Sequence, residues 1–115
     1  MEENCGIIER MAARVETPDL TGAAERGRDI IAAPSRMAIV KLLLDDGPAT
    51  RATIVERTGM SVAGCRVALD QLQEHGHVTR TGVRPLLFHA NRPNVVNDLA
   101  AVLAWMLSGP QSPAE

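Results

Sequence analysis

Between Thr50 and Gly76 the chain carries two short helical patterns only a few residues apart, and few folds accommodate such a pair. The first pattern runs from about Arg51 to Arg57, with the Thr50 hydroxyl in position to cap it. The second begins after Ser61, a further capping residue, and brings Cys65, Leu69 and Leu72 onto one face at the i, i+4, i+7 spacing. Thr58-Gly59-Met60 joins them, and Gly59 suits the left-handed backbone of a tight inter-helix turn. Gly76 is placed to end the second helix. Two helices joined by a short turn containing Gly form the helix-turn-helix unit, which offers its second helix to a DNA major groove. The same unit also serves as a plain αα packing element, and spacing alone leaves both readings open.

Past Gly76 the period changes from helical to alternating. His77-Val78-Thr79-Arg80-Thr81 alternates, Gly82-Val83-Arg84-Pro85 turns, and Leu86-Leu87-Phe88-His89-Ala90 reads as a return strand. Val78 and Phe88 are the expected core positions. A β-hairpin directly after the second helix is a wing, with Arg80 and Arg84 near its tip, suited to phosphates or the minor groove.

Helices flank this centre. Thr17-Pro18-Asp19 reads as a helix start, followed by Leu20, Ala23, Ala24, Gly27, Ile30 and Ile31 on one face to about Ala32. Pro34 opens a further helix to Leu44, strongly apolar, on which Met37, Val40, Lys41 and Leu44 alternate. Asp45-Asp46-Gly47-Pro48 then stops it. Pro93 opens the last helix. Its stripe of Val95, Val96, Leu99, Val102, Leu103, Met106 and Leu107 is too wide for one small domain to cover. Dimerisation through Leu20, Ile30, Val95, Leu99, Val102, Leu103 and Met106 accounts for that excess. Ile7, Ile8, Met11 and Val15 suggest a short arm helix within residues 1–16, with a frayed tail as the other reading. The expected division is an arm over residues 1–18, a winged helix-turn-helix domain over 19–108 and a disordered tail over 109–115.

Only one Trp and one Phe are present, so the core must be aliphatic and base stacking on single strands is nearly excluded. No apolar run approaches the ~20 residues of a membrane span, and MEENCGIIER lacks signal-peptide order, so a cytoplasmic protein is expected. The net charge of −2 is unevenly spread. Residues 1–35 hold four Arg against seven acids, 36–92 eight Lys/Arg against five acids, and 93–115 two acids and no base. Positive charge thus collects around the helix pair and the hairpin, which favours nucleic acid, although ordinary surface charge reads the same way. Cys5 and Cys65 lie far apart and suggest neither a disulfide nor a metal pair, and Cys65 reads as a small buried hydrophobe. His75, His77 and His89 gather near the hairpin, more simply as hydrogen-bonding groups than as a zinc site.

Ala32-Ala33-Pro34-Ser35-Arg36-Met37-Ala38-Ile39-Val40-Lys41-Leu42-Leu43 resembles the opening of this helix in the ArsR-like winged-helix repressors. The likeness continues through Ile54-Val55-Glu56-Arg57-Thr58-Gly59-Met60-Ser61 and Leu69-Asp70-Gln71-Leu72-Gln73-Glu74-His75-Gly76, and covers about residues 19–107. It implies a homodimer on an operator with two-fold symmetry. Three departures stand out. Thr50–Thr58 has no Cys or His and the closing helix offers only Asp98, so the family's metal sensing is not expected. The front of the second helix is Val62-Ala63-Gly64 where the family has polar residues. Ala33 stands where a capping Asp is common.

The expected fold is therefore mainly α with a small β-hairpin wing, a winged helix-turn-helix of order α-α-α-α-β-β-α, as a dimer. The expected function is sequence-specific binding of double-stranded DNA by a homodimeric transcriptional repressor. Its recognition helix at about residues 61–75 lies in the major groove, and the wing at 77–90 on the backbone or minor groove. Arg66 would read bases, bidentate to guanine, while Ala63 and Val67 would touch thymine methyls beside Val62. Asp70 would sit clear of the phosphates or read cytosine, and Arg51, Arg57, Arg80 and Arg84 would contact phosphates or the minor groove. Ser61 would bring the helix N-terminus to a phosphate. Two alternatives stay open: a plasmid or phage partition-type adaptor on the same fold, and a winged-helix module that grips protein instead of DNA. No catalytic constellation, cofactor motif or metal motif stands out, and no enzymatic role is expected.

Overall fold

The computed structural model describes residues 20–108. The expected arm, the Thr17-Pro18-Asp19 helix start and the C-terminal tail lie outside the described residues. Within them the order is α1 (Ala23–Ile31), α2 (Pro34–Asp46), α3 (Arg51–Thr58), α4 (Val62–Glu74), β1 (Val78–Thr81), β2 (Leu87–Ala90) and α5 (Arg92–Ser108). The chain is mainly helical with one antiparallel hairpin, in the order the sequence suggests.

The α3–α4 pair forms where its punctuation dictates. Thr50 Oγ1 accepts from the Thr53 N–H at 3.2 Å, and Ser61 Oγ accepts from the Gly64 N–H at 2.9 Å. Each cap satisfies one donor that has no intrahelical acceptor. Between them Gly59 turns the chain at φ 75°, and Gly76 leaves α4 at φ 80°. In both, a side chain would collide with its own carbonyl.

Other boundaries shift. Residues 20–22 are not helical, and α1 starts at Ala23 because Gly22, at φ 60°, cannot sit inside a right-handed helix. The α2 helix runs to Asp46, two residues past Leu44, and buries Ile39, Val40 and Leu43. Met37 is exposed, and Lys41 faces water, paired to Asp45 one turn on. The last helix opens at Arg92, with the Asn91 Oδ1 accepting from the Asn94 N–H and Pro93 in the first turn.

The hairpin pairs Val78 with Ala90 and Thr81 with Leu87. Ala49, just before α3, adds a further rung: its N–H donates to Phe88 O at 3.1 Å and its carbonyl accepts from the Phe88 N–H at 2.8 Å. The hairpin is thereby tied to the helix pair at both ends of its sequence. Under it lies an aliphatic core built from Ile39 and Leu43 of α2, Ile54 of α3, and Cys65, Leu69 and Leu72 of α4. Val78, Phe88 and Val95 close it, Val78 and Phe88 as the alternation suggests.

Along the other side α1 packs lengthwise on α5, the most extensive helix contact among the described residues. A Cβ at Gly27 would run into the backbone carbonyl of Asp98 and lie 2.7 Å from Val102 Cγ2. The two backbones can approach this closely only because Gly27 has no side chain.

Candidate functional site

The outer face of α4 has an unusual makeup. Val62 is 59% exposed and Val67 55%, with Ala63, Gly64, Arg66 and Asp70 also facing solvent. Cys65, Ala68, Leu69 and Leu72 fill the inner face, so the helix keeps its hydrophobic spacing inward and still offers apolar surface outward. That surface sits at the capped N-terminus, where amide N–H groups lack intrahelical acceptors and the helix dipole is positive.

The cations divide sharply. Among the described residues Arg66, Arg80, Arg84 and Arg92 make no hydrogen bond or ion pair. Arg66 lies on α4, Arg80 on β1, Arg84 in the hairpin turn and Arg92 at the start of α5, all exposed. The other described cations outside residues 50–92 are engaged. Arg26 holds Asp98, Arg28 pairs with Asp29, Arg36 donates to the Asp29 carbonyl and to Gln71 Oε1, and Lys41 pairs with Asp45.

Two arginines expected to face phosphates are placed differently. Arg57 pairs with Asp46 at 2.5 Å, joining the ends of α3 and α2. Both side chains are about half exposed, and such a pair contributes only about 0–1 kcal/mol, so a phosphate can compete for Arg57. Arg51 is half-buried, and its Nε is enclosed without a hydrogen-bond partner among the described residues. It lies close enough to Cys65 for its charge to act on the thiol. Burial pushes the Cys65 thiol above its ordinary value, and the Arg51 charge pulls it back only in part. Cys65 is thus a free, buried, unreactive thiol. Ser61 is exposed at the helix start, with its hydroxyl used by the cap.

The residues expected at a dimer seam also separate. Ile30, Val95 and Val102 are buried within the chain itself, Ile30 and Val95 in the main core and Val102 where α1 lies along α5. Leu20 and Leu99 are half-buried. Leu103 and Met106 are exposed at 55% and 62%, together with Val96 and Leu107. The stripe is wider than its partner helix and, Val96 apart, its uncovered part lies toward the C-terminal end of α5.

Sequence reasoning missed the hub that holds α1, α5 and the hairpin together. Asp98 is only 2% exposed, on α5. Its carboxylate accepts from Arg26 Nε at 3.0 Å, from His77 Nε2 at 2.7 Å and from Asn97 Nδ2 at 3.0 Å. Burial alone would raise its pKa, but hydrogen bonds from Arg26, His77 and Asn97, with the Arg26 charge, outweigh it and hold the carboxyl below its ordinary value. His77 is fully buried, and its Nδ1 has no partner among the described residues. Beside it His75 Nε2 donates to Asp29 Oδ2 at 2.8 Å, with the two imidazole rings 5.8 Å apart. His89 instead bonds Thr81 across the hairpin. Among the described residues no three His, Cys, Asp or Glu side chains are placed to hold a metal ion. One signal for the hub was present: Asp98 interrupts an apolar stripe at helical spacing, and a lone carboxylate there must be paired if it is buried.

No family model matches the chain, and no curated protein matches it. Among solved structures it is similar to the crystal structure of the YusO protein from Bacillus subtilis, with a TM-score of 0.51 and 15% identity. The match covers 93% of this chain and 83% of that one. At that identity the likeness concerns the path of the backbone only. Among the described residues no helix is long and apolar enough to cross a membrane.

Proposed function

We propose that this chain is a winged helix-turn-helix protein that binds double-stranded DNA sequence-specifically as a homodimer and acts as a cytoplasmic transcriptional repressor. The helix α4 enters the major groove and the hairpin lies on the adjacent backbone or minor groove. The observation that carries this reading is the division of the cations. Those on the exposed side of α4, on the hairpin and at the start of α5 are free among the described residues, while those on α1 and α2 are engaged within the chain. A polyanion gains most from guanidinium groups that need not first release a partner. The capped N-terminus of α4 adds amide donors beside Arg66. Leu103, Met106, Val96 and Leu107 offer apolar surface for a second copy. A two-fold dimer would present two α4 helices to two half-sites.

Selection of bound duplexes from a random pool, repeated over a salt series, tests the reading. The expected product is an inverted repeat with half-sites ~10 bp apart and affinity falling steeply with salt. Absence of enrichment even at ~50 mM salt, where phosphate contacts are strongest, sinks it. The exposed Val62 and Val67 would then mark a protein-binding face.

A further inference from the structure

We infer that the first two turns of α4 read thymine C5-methyl groups around a single guanine, so that each half-site is thymine-rich. This rests on the DNA-binding reading and specifies what the same face recognises. Adenine is read in the major groove by Asn or Gln, using N6 and N7 together. The helix carries two Gln, both in its last turn and each tied down at one amide atom: Gln71 Oε1 accepts from Arg36, and Gln73 Nε2 donates to the Leu69 carbonyl. Ser61 Oγ accepts from the Gly64 N–H at the very start of the helix, which leaves its O–H to donate to a phosphate. Between Val62 and Val67 Arg66 carries the only exposed polar side chain, and its fork matches guanine O6 and N7. Asp70 follows one turn on, where its charge limits approach to phosphates.

What surrounds Arg66 is apolar and in water. Val62 lies one turn before it, Val67 beside it, and Ala63 and Gly64 fill the same N-terminal end, all exposed. These side chains cannot report an amino group or a carbonyl, and among the four bases only thymine offers a methyl in the major groove. The small Ala63 and Gly64 let the helix sit deep enough for the valines to reach it. From Val62 to Val67 the helix rises about 7.5 Å, which spans roughly two base-pair steps of ~3.4 Å. The apolar contacts and the Arg66 contact thus fall on about three consecutive base pairs. A guanidinium and amide donors set among the valines suit an anionic duplex better than an apolar protein surface.

The test uses the duplex recovered by selection and the same duplex with deoxyuridine in place of thymidine within the half-sites. That exchange removes only the C5-methyl groups and leaves base pairing and phosphates in place. The full chain should bind the uridine duplex about fourfold more weakly per contacted methyl, the equivalent of about 0.8 kcal/mol for a buried methylene-sized group. The variants Val62→Ala and Val67→Ala, both at exposed positions, should lose that discrimination while keeping the wild-type salt slope and thermal midpoint. Equal affinity for the two duplexes, or half-sites without thymine, overturns methyl reading and leaves DNA binding standing. Failure to bind any duplex at low salt overturns both.

Discussion

The two sides of this molecule treat polar groups in opposite ways. Where α1 lies against the middle of α5 the charges are paired. Arg26 and His77 converge on Asp98, Arg28 and His75 meet at Asp29, and Gly27 lets the two helix backbones touch. Along α4 and the hairpin, Arg66, Arg80 and Arg84 stand free among the described residues, and Val62, Val67 and Val83 face water. A side whose charges are satisfied and whose backbone contacts leave no slack is a scaffold. A side with free donors and exposed apolar groups has a surface completed by something outside the chain.

The contrast breaks most completely at Asp98. Asp98→Ala strips His77 of its acceptor inside the core and leaves Arg26 unpaired, at an expected cost of about 3 kcal/mol, the lower end for a broken buried pair because Arg26 is partly in water. Urea denaturation should show the midpoint fall with the slope unchanged. Gly27→Val comes next. Its Cβ must push the Asp98 carbonyl away and separate α1 from α5, costing about 2–3 kcal/mol as an overpacked contact, readable in the same assay.

Acid should act on the same side by a smaller amount. The Asp98 carboxyl is held below its ordinary value in the folded chain, so between the folded and unfolded pKa the unfolded state binds more protons. The stability it contributes is fully present above the unfolded value of about 3.9 and disappears as pH falls through the lower folded value. Stability measured from pH 6 downward should show this loss, and Asp98→Asn should flatten it. The smallest effect on stability belongs to the other side. Arg66→Ala and Arg84→Ala should change it by less than about 0.5 kcal/mol, since neither side chain has a partner to lose. Their DNA binding should diverge. Arg66→Ala should relax one half-site position at a cost of about 1–3 kcal/mol, and Arg84→Ala should weaken all sequences and lower the salt slope by about one. A large loss of stability in either variant would contradict the division drawn above.

Local chemistry made much of this legible without coordinates. A capping hydroxyl, a glycine at positive φ and a run of alternating residues act within a few positions of themselves. Thr50, Ser61, Gly59 and Gly76 therefore mark the same boundaries in the sequence and in the structure. The inward face of α4 and the buried Val78 and Phe88 follow from period alone. The exposed positions of Arg66, Arg80 and Arg84 were likewise readable, because the opposite faces of those elements are claimed by the core.

What the sequence left open depends on which distant element lies opposite. Ile30, Val95 and Val102 belong to the same apolar stripes as Leu103 and Met106, and only the packing of α1 and α5 on each other and on the main core decides which are covered. Arg51 and Arg57 look like Arg66 in composition, yet one is enclosed near Cys65 and the other is paired to Asp46. The sequence by itself determined the elements, their order and their inner faces, because hydrogen-bond and hydrophobic periodicities are local. Only the tertiary structure decided which charges were satisfied, because Arg26, His77 and Asp98 meet across 72 residues of chain through contacts that no local spacing records.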